Sequence, residues 1–516
     1  MNNSLPHTRT VRRELPTVVT PLHVLVLLSL CLGVTIWGAA SIFAGQGLQF
    51  QRYLALLAFF AIACTAFVVS RIRMGKLQLF EIPVYITCLF FLQFGLLPLR
   101  NFIDPKVMGR HLSPDGDELV QALSYCVLGM MGFWMGCQAA GRREGGQACF
   151  GPSAEGTSHG PRQGRRMLFA IALSGVAIAT RLFLLGAHLY SYMASMEKYF
   201  ANLASMQVAN FVAGFATLAL VVASIERYRN RSDPNWNVAF WAILLSEVVW
   251  GAISGMKGPI LQSFVVVALV SSVVQRRLNL QWLLLPLFGL ILLYPVSDAY
   301  RGLVRGRGTE AVTSLREAGR AGRMALQDAA QQTGGARSIW QVGLALTVQR
   351  LELLTSIAQV LTLDARARSF VRGDVRWWMV PIYPFIPRFI WPSKPILLES
   401  ARFTIVLGGG RASDITKGIS STAITYPGDL YLHFGLLGIP VGMFLLGLVA
   451  QWLTSRLSGP MGERDLFVYA NFFLFGFPLE SDVFSVWSSL IKLLAILLVL
   501  SWVIYGPRRR PARVVG

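Results

Sequence analysis

Residues 236–277 read WNVAFWAILLSEVVWGAISGMKGPILQSFVVVALVSSVVQRR. Two apolar runs, 238–253 and 258–275, are separated by the turn SGMKGP at 254–259, and the second ends on the basic string QRR. Neither run alternates apolar and polar residues, so neither reads as a strand of a membrane barrel. A helix needs roughly 20 apolar residues to cross the hydrocarbon core. The pair therefore reads as two spans joined by a tight turn.

Working outward, the same signature recurs near 22–43, 52–70, 79–98, 119–139, 167–187, 206–225, 280–297, 430–452, 465–479 and 484–505. The expectation is an all-α polytopic membrane protein with about twelve transmembrane helices, residues 1–516 forming a single integral membrane domain. Composition agrees: 54% of residues are hydrophobic and 14% charged, against about 25% charged in a soluble domain. The run 22–43 follows Arg9, Arg12 and Arg13, yet it exceeds the apolar core of a secretory signal and reads as an uncleaved first span.

A net charge of +21 would ordinarily suggest nucleic acid. Here the charge sits largely in short loops, where membrane topology accounts for it and no nucleic-acid partner is expected. RIRMGK (71–76), the loop 140–166, ERYRNR (226–231), QRR (275–277), the loop 454–464 and PRRRPAR (507–513) are all basic and all fall on one side. The positive-inside rule places them, and both termini, in the cytoplasm. The Gly-, Arg- and Ser-rich loop 140–166 reads as flexible. Five of six cysteines (Cys31, Cys64, Cys88, Cys126 and Cys137) lie in apolar spans and Cys149 in a cytoplasmic loop, so no disulfide framework is expected.

With this orientation residues 298–429, between spans nine and ten, form one large external loop in which Lys and Arg outnumber Asp and Glu. Long loops cross regardless of charge, so the orientation stands. Within it, 338–363 shows helical apolar spacing and reads as an interfacial or membrane-dipping helix, since Arg350 and Glu352 at its centre disfavour a lipid-facing span. The segment 377–395 holds five prolines and three tryptophans and cannot be a regular helix.

Ionisable groups from distant parts of the chain map to the external face. Lys257 lies in the turn after span seven, near Glu247; Arg301, Arg305 and Arg307 follow span nine; Arg388 and Lys394 bracket Trp391. Asp429, Tyr431 and His433 open span ten, and Glu480 and Asp482 sit between the last two spans. Clustered guanidinium and ammonium groups at an interface suit phosphate or pyrophosphate. A nearby carboxylate, with Asp429 the leading candidate, could take a proton from an attacking hydroxyl. Each has a structural competitor: the arginines as headgroup anchors, Lys257 and His433 as interfacial groups, the tryptophans as a belt. Arg181 and Lys492 read as snorkelling residues. No HExxH, Cys/His or Asp-x-Asp motif occurs in the external parts, so no metal and no cofactor are expected.

PRFIWPSKP (387–395), AITYPGDLYLHFGLLGIPVGMFLLGLV (423–449) and SGMKGP (254–259) together resemble the Wzy-type oligosaccharide repeat-unit polymerases of bacterial polysaccharide assembly. Asp429 stands where that family more often has Glu, and His433 at a position often occupied by Asn. The resemblance implies a GT-C-like helical fold in the bacterial inner membrane. It implies en bloc transfer of an undecaprenyl-pyrophosphate-linked glycan onto the next lipid-linked repeat unit, at the periplasmic face. Lys257, Arg301, Arg305 and Lys394 would then bind pyrophosphate, Arg388 and Asp429 would be catalytic, and Tyr431, His433 and Trp391 would position substrate. Membrane lipids, a chain-length regulator and a flippase are the implied partners. An O-antigen ligase that delivers glycan to a lipid A core is the nearest alternative. A polysaccharide transporter is another, though it would favour mid-membrane charges and repeat symmetry.

Overall fold

The structure, a computed structural model, describes residues 48–73, 81–103, 115–141, 161–187, 189–190, 202–275, 279–306, 315–333, 339–373, 399–409, 422–457 and 463–506. It also describes Met379, Ile382, Tyr383, Ile386, Ile390, Trp391 and Lys394. Every long element among them is a helix. In chain order they are α1 (Leu48–Arg73), α2 (Ile82–Phe90, continued by a π-helical turn over Phe91–Leu96), α3 (Gly116–Gly141), α4 (Pro161–Gly186), α5 (Leu203–Ala213) and α6 (Phe215–Arg229). Then come α7 (Pro234–Ser254), α8 (Lys257–Gln275), α9 (Gln281–Gly306), α10 (Leu315–Thr333), α11 (Ile339–Leu351) and α12 (Leu354–Leu361). The last six are α13 (Ala365–Arg372), α14 (Glu399–Thr404), α15 (Tyr426–Phe434), α16 (Gly438–Leu457), α17 (Glu463–Phe475) and α18 (Val483–Tyr505).

Nine helices among the described residues are long and apolar enough to cross a membrane, or up to eleven if two bent pairs each count as one span. The protein is thus a multi-pass membrane protein. The expected span 22–43 lies outside the described residues. The expected span 465–479 is a shorter helix, α17, because the chain leaves helical geometry after Phe475. The expected span 430–452 is broken at Gly435, whose φ of 67° only glycine adopts readily, so α15 and α16 are separate helices.

The tightest packing joins α3 to α16. Hydrocarbon gives apolar helices no reason to leave lipid for one another, so close backbone approach must supply the attraction. Glycines supply it. A methyl on Gly132 or Gly136 would collide with the backbone carbonyls of Pro440 and Phe444, and one on Gly447 with that of Phe133. Around this pair the core includes Leu123, Met130, Phe133, Met443 and Leu446, all buried.

Buried charges brace the bundle, among them Arg71, which pairs with Glu81 and donates to Gln451 Oε1 of α16 at 2.9 Å. Arg181 of α4 is buried and paired to Glu247 of α7, with its second nitrogen donating to Ala213 O at 3.0 Å. It therefore does not snorkel. On the ends that were read as cytoplasmic, Arg166 bonds Glu226 (2.7 Å) and Glu463 (2.5 Å), and Arg229 bonds Glu463 (2.8 Å). These contacts fasten α4, α6 and α17 together. Arg166 belongs to α4, so 161–166 is helix and ion-paired; the flexible loop expected over 140–166 does not extend into it, and its earlier part lies outside the described residues.

The segment 298–429 is largely helical among the described residues: it holds the end of α9, five further helices, α10 to α14, and the first turn of α15. Ala318, Ala321, Ala325 and Ala329 recur at helical spacing on the buried side of α10, which packs on α9. The stretch 338–363 forms α11 and α12, bent by 45° at Glu352–Leu353. Glu352 Oε1 accepts the Thr355 N–H at 2.8 Å and restarts the helix, and the Leu353 N–H donates to Gln93 O of the π-helical turn at 3.2 Å. The groups at this break in the helical ladder thus find partners, as buried backbone requires.

Candidate functional site

The segment Thr425–His433 is assembled by its neighbours. Thr425 holds φ at 71°, a strained value for a β-branched residue. Its hydroxyl accepts the Gly428 N–H (3.3 Å), which starts α15, and Pro427 fits the first turn. The Tyr426 N–H donates to Leu479 O (3.0 Å), and its phenol accepts from Trp487 Nε1 (3.3 Å). Asp429 is buried, and its Oδ2 accepts the Val483 N–H at 2.9 Å. At the other end Arg372 Nε donates to Leu432 O (2.5 Å), capping α15.

One turn beyond Asp429, His433 meets it and Glu399. Nε2 of His433 lies 3.2 Å from Glu399 Oε1, in hydrogen-bond contact, and 3.3 Å from Asp429 Oδ1. The contact to Asp429 Oδ1 falls outside hydrogen-bond geometry. Sequence reading missed Glu399, which lies 34 residues from His433 in a stretch without helical periodicity. Burial pushes the Glu399 carboxyl up to about 7, although the His433 ring opposes it. Burial pushes His433 down, but the flanking Asp429 and Glu399 oxygens outweigh it and carry the ring up to about 10. Burial and the Asp429 charge raise Asp482, which caps α18 by accepting the Ser485 N–H (2.7 Å).

A cationic group adjoins this acidic one. Gly255 closes α7 in the left-handed region (φ 67°), and its carbonyl accepts from Arg301 Nε at 2.8 Å. Arg301 therefore clamps the turn from which Lys257 projects. The Lys257 ammonium sits over the Tyr294 ring, 2.7 Å from its centroid, within electrostatic reach of Arg301, Asp298 and Arg350. Arg350 pairs with Glu480 at 3.1 Å, both half-exposed. Glu480 and Asp482 share the connection between α17 and α18, so that connection touches both the cationic and the acidic group.

The remaining expected residues fall as follows. Tyr431 stacks on Tyr125 (centroids 6.0 Å) beneath the Arg368 guanidinium (5.3 Å), so Arg368 joins the site's wall. Lys394 is buried, and its ammonium donates to Tyr383 O (2.6 Å) and Ile386 O (3.1 Å). It pins its own Pro-rich segment. Trp391 packs beside Tyr383 (5.8 Å). Glu247 is engaged by Arg181. Arg305 lies in the last turns of α9, and Arg307 and Arg388 lie outside the described residues.

Fold and site together define a multi-pass helical membrane protein in which the connection between α17 and α18 joins a cationic group to an acidic one. The chain belongs to the family described as a domain of unknown function, DUF8712, whose model matches residues 171–499. Lys257, Arg301, Arg350, Glu399, Asp429, His433 and Asp482 all fall inside the matched region. No curated protein and no solved structure matches the chain.

Proposed function

We propose that this protein is a membrane glycosyltransferase that polymerises undecaprenyl-pyrophosphate-linked oligosaccharide repeat units at the periplasmic face of the inner membrane. The observation that carries the reading is the juxtaposition of Lys257, Arg301 and Arg350 with the Glu399–Asp429–His433 group across the connection 476–482. The sequence resemblance at 254–259, 387–395 and 423–449 supports it independently. In this reading the acceptor sugar hydroxyl attacks the anomeric carbon of the donor glycan. The bond from that carbon to the pyrophosphate oxygen breaks, and undecaprenyl pyrophosphate departs with the electron pair. Lys257 and Arg350 neutralise its growing charge, and Arg301 holds the turn that aims Lys257. The acceptor proton leaves toward the buried carboxylates beside His433. The Tyr125–Tyr431 pair offers an aromatic face to a sugar ring.

The test is the polysaccharide ladder of a gene deletion complemented with Asp429→Asn or Lys257→Ala. Single repeat units on the lipid carrier support polymerisation. Full-length lipid-linked chains that never reach the core point to ligation instead, and a ladder unchanged by either variant overturns the site.

A further inference from the structure

A histidine that relays protons between two carboxylates offers one ring nitrogen to each. His433 does not. Both the Glu399 and the Asp429 oxygens converge on Nε2, at 3.2 and 3.3 Å. One nitrogen carries at most one hydrogen, and two acceptors sharing it each receive a bent, weaker bond. Asp429 Oδ1, on a side chain only 2% exposed, faces Nε2 at 3.3 Å but outside hydrogen-bond geometry. A buried carboxylate oxygen without a well-formed hydrogen bond is costly.

We propose that Glu399, Asp429 and His433 form a binding site for one first-row divalent cation, of the Zn2+ or Mn2+ class. The three ligand atoms lie within 4.8 Å of one another. Ligands about 2.1 Å from a metal stand about 3.0–3.4 Å apart along the edges of an octahedron or tetrahedron, and the two distances to Nε2 fall there. One imidazole and two carboxylates suit borderline and hard divalent ions better than soft ones. The supporting shell is present: the Val483 N–H at the start of α18 fixes the other oxygen of Asp429. The His433 side chain keeps 13% exposure while the carboxylates keep 5% and 2%, so an ion enters from the ring side. No sequence motif announces the site because Glu399 comes from a separate helix. The proposal stands apart from the glycan-transfer reading. An ion here would occupy the atoms to which that reading sends the acceptor proton, and so would compete with that step.

The experiment uses the full chain in lipid nanodiscs, stripped with chelator and assayed without any glycan substrate. Zn2+ is titrated calorimetrically into wild type, Glu399→Gln, His433→Gln and, as a control, Asp117→Asn at an exposed site. Mn2+ bound to wild type is examined by electron spin-echo modulation for nitrogen coupling. Expected are one Zn2+ per chain, affinity at least about ten-fold weaker in E399Q and H433Q but unchanged in D117N, and a nitrogen signal on Mn2+. Absence of stoichiometric binding by wild type, equal affinity in E399Q and wild type, or Mn2+ without nitrogen coupling overturns the site. Should H433Q fail to fold, E399Q and the wild-type signal decide. The polysaccharide ladder reports on glycan transfer separately.

Discussion

Asp429 Oδ2 accepts the Val483 N–H at 2.9 Å, so a carboxylate of the site also fixes the first residue of the last span. Charge and anchoring can be separated here. Asp429→Asn keeps a carbonyl oxygen for Val483 and should hold thermal stability near wild type. Under the proposed function it should cut polymer synthesis by about 10²–10⁴-fold. Asp429→Ala orphans the Val483 N–H and should cost about 1–3 kcal/mol. Unfolding midpoints in detergent, read beside the polysaccharide ladder, check both. Asparagine as unstable as alanine would mean the charge itself anchors the helix.

The α3–α16 contact predicts a sharp contrast between glycines. Gly447→Ala places a methyl against the Phe133 carbonyl and should destabilise by about 1–3 kcal/mol. Gly175→Ala in α4 meets nothing within 4 Å and should be neutral or stabilise by up to about 1 kcal/mol. Comparing their heat-induced aggregation midpoints tests this, and equal midpoints would refute the packing.

Lys257→Ala removes the ammonium that the turn at Gly255 presents. If it neutralises a leaving pyrophosphate, the rate should fall about 10²–10³-fold with the folded yield preserved. Glu480→Ala, which frees Arg350 from a half-exposed pair, should change stability by no more than about 1 kcal/mol. In vitro turnover of lipid-linked repeat units distinguishes these two variants.

Glu247→Ala strands the buried Arg181 guanidinium and should destabilise by about 3–5 kcal/mol. The double change Arg181→Met with Glu247→Leu should recover most of that loss, because two apolar side chains need no pairing. A double-mutant cycle on unfolding midpoints measures the coupling. Additive losses would show that the pair is not coupled.

The basic loops predict that α10 lies outside the cytoplasm. An alkaline phosphatase fusion near residue 330 should be active, and a cytoplasmic reporter at that position silent. The reverse pattern would move the charged groups to the cytoplasmic side and remove the basis for a periplasmic reaction.

Much of the helical skeleton was legible because a lipid-facing helix must be apolar along most of its length, and runs such as 258–275 show it. The segment 298–429 was read as a loop because its arginines mask the period. The alanines at 318, 321, 325 and 329 carried the helical signal throughout. Topology assigned Lys257, Arg301 and Asp429 to one membrane face, and the structure brings Arg301 onto the turn that carries Lys257. Pairings within a face were not legible. Arg181 is 66 residues from Glu247 and looked like a snorkelling residue. Glu399 gained its place only when α13, α14 and α15 closed around Phe403, Ile424 and Leu432. Lys394 looked like a phosphate ligand because sequence does not show that its ammonium turns back onto Tyr383 O and Ile386 O.

The hydrogen bond from Leu353 to Gln93 also sets an order of events during synthesis. The two residues are about 260 positions apart, so at about 5–20 residues per second Gln93 leaves the ribosome roughly 10–50 s before its donor exists. During that interval the Gln93 carbonyl lacks this donor, and the π-helical turn is held by the earlier-made Tyr53 hydroxyl on Gly95 O (2.8 Å). Nascent chains halted before residue 353 should therefore hold this turn more open to thiol labelling, at a cysteine placed at Leu92, than chains halted after residue 361.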